Sequence, residues 1–172
     1  MTPTLTTERL ILRPVRLDDA AQIADLTNDA DVASMLGDGA FPNTLARAEG
    51  KIFLEEARAL KGLEHHFAIT LLDEGLIGEA LVVLSRPGPA AVGYWLGRAY
   101  WGQGFGAEAM AAVSQFAAQA SGTAVQAVCA ADDDAAQRAF EKAGLKRAAG
   151  AFAQYSLVRR AAVACVAYRL AG

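Results

Sequence analysis

The chain has 172 residues, 53% of them hydrophobic and 20% charged, with a formal net charge of −3. That length suits one domain with a substantial core, and the composition excludes long disordered stretches. The acidic balance lacks the basic stripe of a nucleic-acid binder and offers no attraction to an anionic membrane surface, so neither partner is expected.

No apolar run approaches the roughly 20 residues needed to span a bilayer. Residues 1–7 are polar and carry no basic start or apolar run, so the cytoplasm is the expected location. Cys129 and Cys165 both sit in apolar, strand-like runs and read as small buried hydrophobes. Together with His65 and His66 they are too few and too scattered for a zinc site, and no metal is expected. A disulfide between them stays open at this stage.

The elements follow in order. Residues 9–13 read as a strand stopped by Pro14. Asp18 or Asp19 can cap a helix reaching about Leu26, with Ala20, Ile23 and Ala24 on its apolar face. Residues 28–43 hold Gly37, Gly39 and Pro42 and predict loop with short helical pieces. Thr44 caps a second helix with Ala48, Ile52, Leu54 and Ala57 inward. Residues 67–72 and 76–84 form a hairpin about Asp73-Glu74-Gly75, and residues 91–96 add a further strand.

Beyond it come a glycine-rich loop, a helix over residues 107–120, and a strand over 125–130. A short helix capped by Asp133 or Asp132 follows, with Gly144 at its C′ position, then strands over 145–149 and 163–170. This order predicts an α/β (α+β) fold. Its sheet is mixed and mostly antiparallel, with six to seven strands and helices on both faces.

The chemistry concentrates in Tyr94-Trp95-Leu96-Gly97, followed by Trp101-Gly102-Gln103-Gly104-Phe105-Gly106-Ala107. A strand ends, a turn with alternate glycines follows, and a helix begins. The first amides of a helix have no internal partners and lie at the positive end of its dipole, which makes a phosphate site. Glycine lets backbone approach the anion. The run lacks the Lys-Ser/Thr ending of a nucleotide P-loop and the G-x-G-x-x-G spacing of a dinucleotide fold.

Residues 101–106 resemble the acyl-coenzyme A signature of the GNAT N-acetyltransferase superfamily, with Trp101 in the first place as in its RimJ/RimL-like branch. Thr7-Glu8-Arg9-Leu10, Leu12-Arg13-Pro14, Tyr94-Trp95-Leu96, Glu108-Ala109 and Phe140-Glu141-Lys142-Ala143-Gly144-Leu145 extend the resemblance over a single domain, residues 7–170. It implies acetyl-CoA as co-substrate and an amine acceptor, either a peptide N-terminus or a small molecule, taken by a monomer or homodimer. It also implies cofactor contacts. The Leu96 backbone would bond the pantetheine arm, and the amides of Gln103, Gly104, Phe105, Gly106 and Ala107 would bond the pyrophosphate. Trp95, Gly97, Trp101 and Gly102 would flank them. Asp133 and Ala136 would lie on the pantetheine side, Phe140 against the arm and Lys142 near the phosphates. Ala136 stands where the family often has Ser, and Ala91 where it often has Glu.

A general base is sought among the remaining groups. Glu79, a carboxylate in the apolar run Leu76-Ile77-Gly78-Glu79-Ala80-Leu81, is the first candidate, since burial raises a carboxylate's pKa. His65 and His66 are alternatives needing no large shift. Tyr94 is a candidate for orienting the substrate or its carbonyl. Solvent is the remaining acceptor of the proton.

Overall fold

The computed structural model describes residues 1–36, 42–84, 87–157 and 159–170. In chain order it holds β1 (Leu5–Thr6), β2 (Ile11–Pro14), α1 (Ala20–Thr27), α2 (Ala30–Met35), α3 (Leu45–Leu60), β3 (Glu64–Leu71), β4 (Gly75–Val83) and β5 (Ala90–Leu96). Then come α4 (Phe105–Ser121), β6 (Val125–Ala130), α5 (Asp134–Lys142), β7 (Leu145–Ser156) and β8 (Ala161–Leu170). The strands form one eight-stranded sheet in the order β1-β2-β3-β4-β5-β6-β8-β7. All neighbours pair antiparallel except β5 and β6, which are parallel.

The mixed sheet is the one the sequence predicts, with one strand more than expected. The extra strand, β1, has two residues, too few for alternation to declare it. Residues 37–41, which include Gly37 and Gly39, lie outside the described residues.

Helices cover both faces because both faces are apolar. On one, Leu10, Leu12, Phe67, Ile77 and Val82 pack under Ala109, Met110, Val113 and Ala117 of α4. On the other, Ala68 and Leu76 pack under Ala20, Ile23 and Ala24 of α1 and Ala48 and Ile52 of α3. Each fully buried Val or Met contributes about 1.5–3 kcal/mol of transfer free energy, so Met110 and Val113 alone outweigh the helix-propensity differences of α4's residues.

Three local expectations change. On α3, Leu54 is 57% exposed and Glu55 takes the inward position, because two basic side chains wait there for it. On α4, the helix starts at Phe105, two residues before the expected start. Asp19 precedes α1 but does not cap it with its side chain; its carboxylate is spent on Arg13, at 2.7 and 2.8 Å, and on the Arg16 amide at 2.8 Å. Thr44 and Asp133 do cap α3 and α5, and Gly144 follows α5 with a positive φ of 87°. Cys129 and Cys165 are both free thiols.

Candidate active site

The parallel seam decides where a ligand can enter. β5 and β6 pair over only three residues, Ala90–Val125, Ala91–Gln126 and Val92–Ala127. Beyond Val92, β5 stays with β4 as far as Leu96, while β6 stays with β8 as far as Ala130. The two strands therefore part, and the backbone of residues 93–96 has no strand on that side. A groove of about 790 Å³ opens there. On its other side β5 stays close to β4, and Gly78 permits that approach: a Cβ on it would strike the Trp95 carbonyl and come 2.9 Å from the Leu96 Cα.

The glycine turn opens on the same groove. Gly102 and Gly104 take φ of 75° and 84°, which a branched side chain resists. The first intrahelical bond of α4 runs from the Glu108 amide to the Gly104 carbonyl at 3.1 Å. The amides of Phe105, Gly106 and Ala107 lie before that closure and have no acceptor within the helix. Gly102, Gly104, Gly106 and Ala107 all line the groove.

Gly106 has a different reason from its neighbours. A Cβ there would meet the Tyr94 ring and hydroxyl at 2.5–2.7 Å, so its missing side chain makes room for Tyr94 rather than for an anion. Gly97 likewise makes room for Leu26, 2.7 Å from where its Cβ would stand, and does not line the groove. Gln103 and Phe105 are also absent from the lining. The Gln103 side chain turns back to the Ala99 carbonyl at 2.9 Å, and Phe105 is buried under Arg9, so each has only its backbone to offer. The Leu96 carbonyl already accepts from Trp101 Nε1 at 2.8 Å, which fixes the indole at the groove wall.

Asp133, Ala136, Phe140 and Lys142 line the opposite wall, from α5. Asp133 accepts from the Ala136 amide at 2.9 Å as the helix cap. Phe140 meets Tyr94 edge-on at 6.4 Å between centroids. Burial, then the Asp133 charge, pushes the Tyr94 phenol up to about 12, so it stays protonated. Arg138 and Cys129 are among the lining residues that the sequence does not announce. Arg138 stands one turn before Lys142, and that i,i+4 spacing was the available signal. Cys129 carries no such signal; burial pushes its thiol up to about 12.

Glu79 is not on the groove. It is 4% exposed, and its Oε2 accepts from Lys51 Nζ at 2.7 Å and from Trp95 Nε1 at 2.8 Å, so it lies behind the Trp95 indole that does line the groove. Burial raises its pKa against the pull of Lys51. The pair belongs to a longer chain: Lys51 also meets Glu55 at 3.1 Å, and His66 joins Glu55 at 3.1 Å and Glu64 at 2.9 Å. His66 is thus held between carboxylates, and His65 meets Thr2 Oγ1 at 3.2 Å and packs edge-on against Phe116. Neither histidine lines the groove.

The groove is also lined by Ser34, Met35 and Leu36 and by Gln154, Tyr155 and Ser156. Side-chain bonds hold the first segment in place. Asn28 and Asn43 exchange two bonds of 2.8 Å that cinch the loop's ends. Asp29 caps α2, and Arg98 reaches Asp31 at 2.6 Å to tie α2 to the turn after β5.

The chain has known counterparts. The family model for the acetyltransferase (GNAT) domain matches residues 9–146, and the chain belongs to that family. An uncharacterized N-acetyltransferase p20 of Bacillus licheniformis is 32% identical over 110 residues, or 62% of this chain. The match spans 61% of that relative's length. Among solved structures, Mycobacterium smegmatis RimJ in complex with a CoA-disulfide aligns with a TM-score of 0.81 at 20% identity, over 94% of this chain and 81% of its own. RimL, a ribosomal α-N-protein acetyltransferase in complex with coenzyme A, aligns with a TM-score of 0.85 at 15% identity, over 97% of each chain.

Proposed function

We propose that the protein transfers an acetyl group from acetyl-CoA to a primary amine, by direct attack while both substrates are bound. The observation that carries this reading is the coincidence of the parted β5–β6 seam with the free amides of α4. A pantetheine-like arm needs an unpaired strand edge, and a diphosphate needs converging N–H groups; the groove offers both. On the facing wall the later part of α5 brings Arg138 and Lys142, while its start brings Asp132, Asp133 and Asp134.

Within that groove each residue has a task. The amides of residues 104–107 hold the diphosphate. The free edge of residues 93–96 aligns the arm and offers an N–H to the thioester oxygen, worth about 3 kcal/mol when a charge develops there. Holding the two reactants together supplies several kcal/mol more. Tyr94, packed between Gly106 and Phe140, shapes the diphosphate end of the groove, and the departing thiolate takes its proton from water. Glu79 acts at one remove, by fixing Trp95. The amine proton leaves to water in the open groove. The amine, a protein N-terminus or a small molecule, enters between residues 34–36 and 154–156, whose side chains carry no charge. RimJ and RimL relatives support the N-terminus.

The test is acetyl-CoA turnover against a panel of peptides and small amines, read as free thiol. Thiol release with at least one acceptor, and a raised melting temperature with CoA, are expected. Stabilisation by ATP or NAD in place of CoA would overturn the reading. Ala136, which puts a methyl group on the groove and no proton donor, favours a second reading as a non-catalytic acyl-CoA-binding module. CoA binding with no turnover on any acceptor would select it.

A further inference from the structure

Two sequence features, Thr7-Glu8-Arg9-Leu10 and the Glu108 of α4, lie 99 positions apart and meet at the back of the glycine turn. Arg9 donates through Nε to Glu108 Oε2 at 2.7 Å, and its Nη2 lies 2.7 Å from the same oxygen. Glu108 Oε1 accepts from Thr7 Oγ1 at 2.6 Å and from the Arg9 amide at 2.8 Å. So held, the Arg9 guanidinium sits 4.6 Å over the Phe105 ring and donates through Nη1 to the Gln103 carbonyl at 3.0 Å.

That last bond has a geometric consequence. In a trans peptide the carbonyl and the following N–H point in opposite directions. Fixing the Gln103 carbonyl on Arg9 therefore turns the Gly104 amide away from Arg9. Gly104 borders the groove, and a Cβ on it would come within 3.4 Å of Arg9 Nη2, so Arg9 lies on its other side. A glycine with φ of 84° is otherwise free to flip this peptide, since glycine tolerates both halves of φ space.

We propose that Arg9, locked by Glu108 and Thr7, is a positioning residue that sets the Gln103–Gly104 peptide so that the Gly104 amide faces the diphosphate. This rests on the reading of the groove as a CoA site. Arg9 does not touch the ligand; it preorganises the turn, its own charge being balanced by Glu108.

The test compares calorimetric affinities of CoA, adenosine diphosphate and pantetheine for wild type, Arg9→Gln and Arg9→Lys. Adenosine diphosphate carries the diphosphate alone, and pantetheine carries the arm alone. Arg9→Gln should weaken CoA and adenosine diphosphate on the order of tenfold, about one charge-assisted hydrogen bond, and leave pantetheine unchanged. Arg9→Lys should fall between, because one ammonium cannot serve both Glu108 and the Gln103 carbonyl. Equal losses on all three ligands, or no loss on any, would overturn the proposal. If Arg9→Gln does not fold, Arg9→Lys carries the same comparison. A wild-type protein that binds pantetheine as tightly as CoA would instead overturn the groove assignment itself.

Discussion

The Trp95 indole hangs on Glu79: its Nε1 donates to Oε2 at 2.8 Å, and the same oxygen receives Lys51 Nζ at 2.7 Å. A groove wall is thus fastened to an ion pair that reaches from the sheet to α3. Glu79 Oε1 is buried with no partner among the described residues, so Oε2 alone anchors the carboxylate.

Glu79→Gln keeps an acceptor for the indole and removes the charge opposite Lys51. Lys51 keeps Glu55 and has a side chain 37% exposed, so the loss falls below that of a fully buried pair, at about 1–2 kcal/mol. Glu79→Leu also frees the indole. Urea unfolding should place Leu below Gln below wild type, and kcat should fall further for Leu while the CoA Kd holds.

Gly104→Val meets two obstacles, the positive φ and the turn's contact with Arg9. Gly104→Ala meets mainly the first, at about 1–2 kcal/mol. CoA affinity measured by calorimetry should be lost in the Val variant and reduced in the Ala variant. A folded Gly104→Val protein with unaltered CoA affinity would falsify the cradle.

Tyr94→Phe removes the hydroxyl that packs against Gly106 at the α4 N-terminus. A role in shaping the cradle predicts a weaker CoA affinity by calorimetry with kcat at saturation kept; a lower kcat at unchanged CoA affinity would place the hydroxyl in the chemistry instead. Since the phenol stands at about 12, the wild-type kcat profile should show no alkaline fall from Tyr94 up to pH 10.

His66 supplies the pH test of stability. Burial pulls its pKa down, but the bond to Glu55 and the charges of Glu55 and Glu79 win, and the net shift is upward from 6.5. A folded pKa above the unfolded one gives stability that is complete below pH 6.5 and lost as pH rises through the folded value. The gap in melting temperature between wild type and His66→Gln should be widest at pH 6 and narrow toward pH 9.

Much of the site was legible because backbone geometry constrains sequence directly. Gly102 and Gly104 are visible because their φ excludes other residues, and Asp133 because a cap needs an oxygen. Partners distant in the chain were not legible. Lys51 reads as one more charge on a solvated helix face, and nothing local announces that Glu79, 28 residues on, will claim it. Arg9 and Glu108 were each seen as motif letters, without the contact that joins them. Gly106 was seen for the wrong reason, since a glycine that makes room for an aromatic ring looks the same as one that makes room for an anion. The sheet was legible through its hairpins; β1 was not, being shorter than one period of alternation.

The three rungs between β5 and β6 make the sheet two leaves on a short hinge. The leaf from β1 to β5 and the leaf of β6, β8 and β7 share little main-chain bonding, so a ligand seated between them acts as a splint. Amide exchange at residues 93–96 and 128–130 should slow together when CoA binds, and an acceptor that needs both leaves in register would then find its berth only after the first substrate has stiffened it.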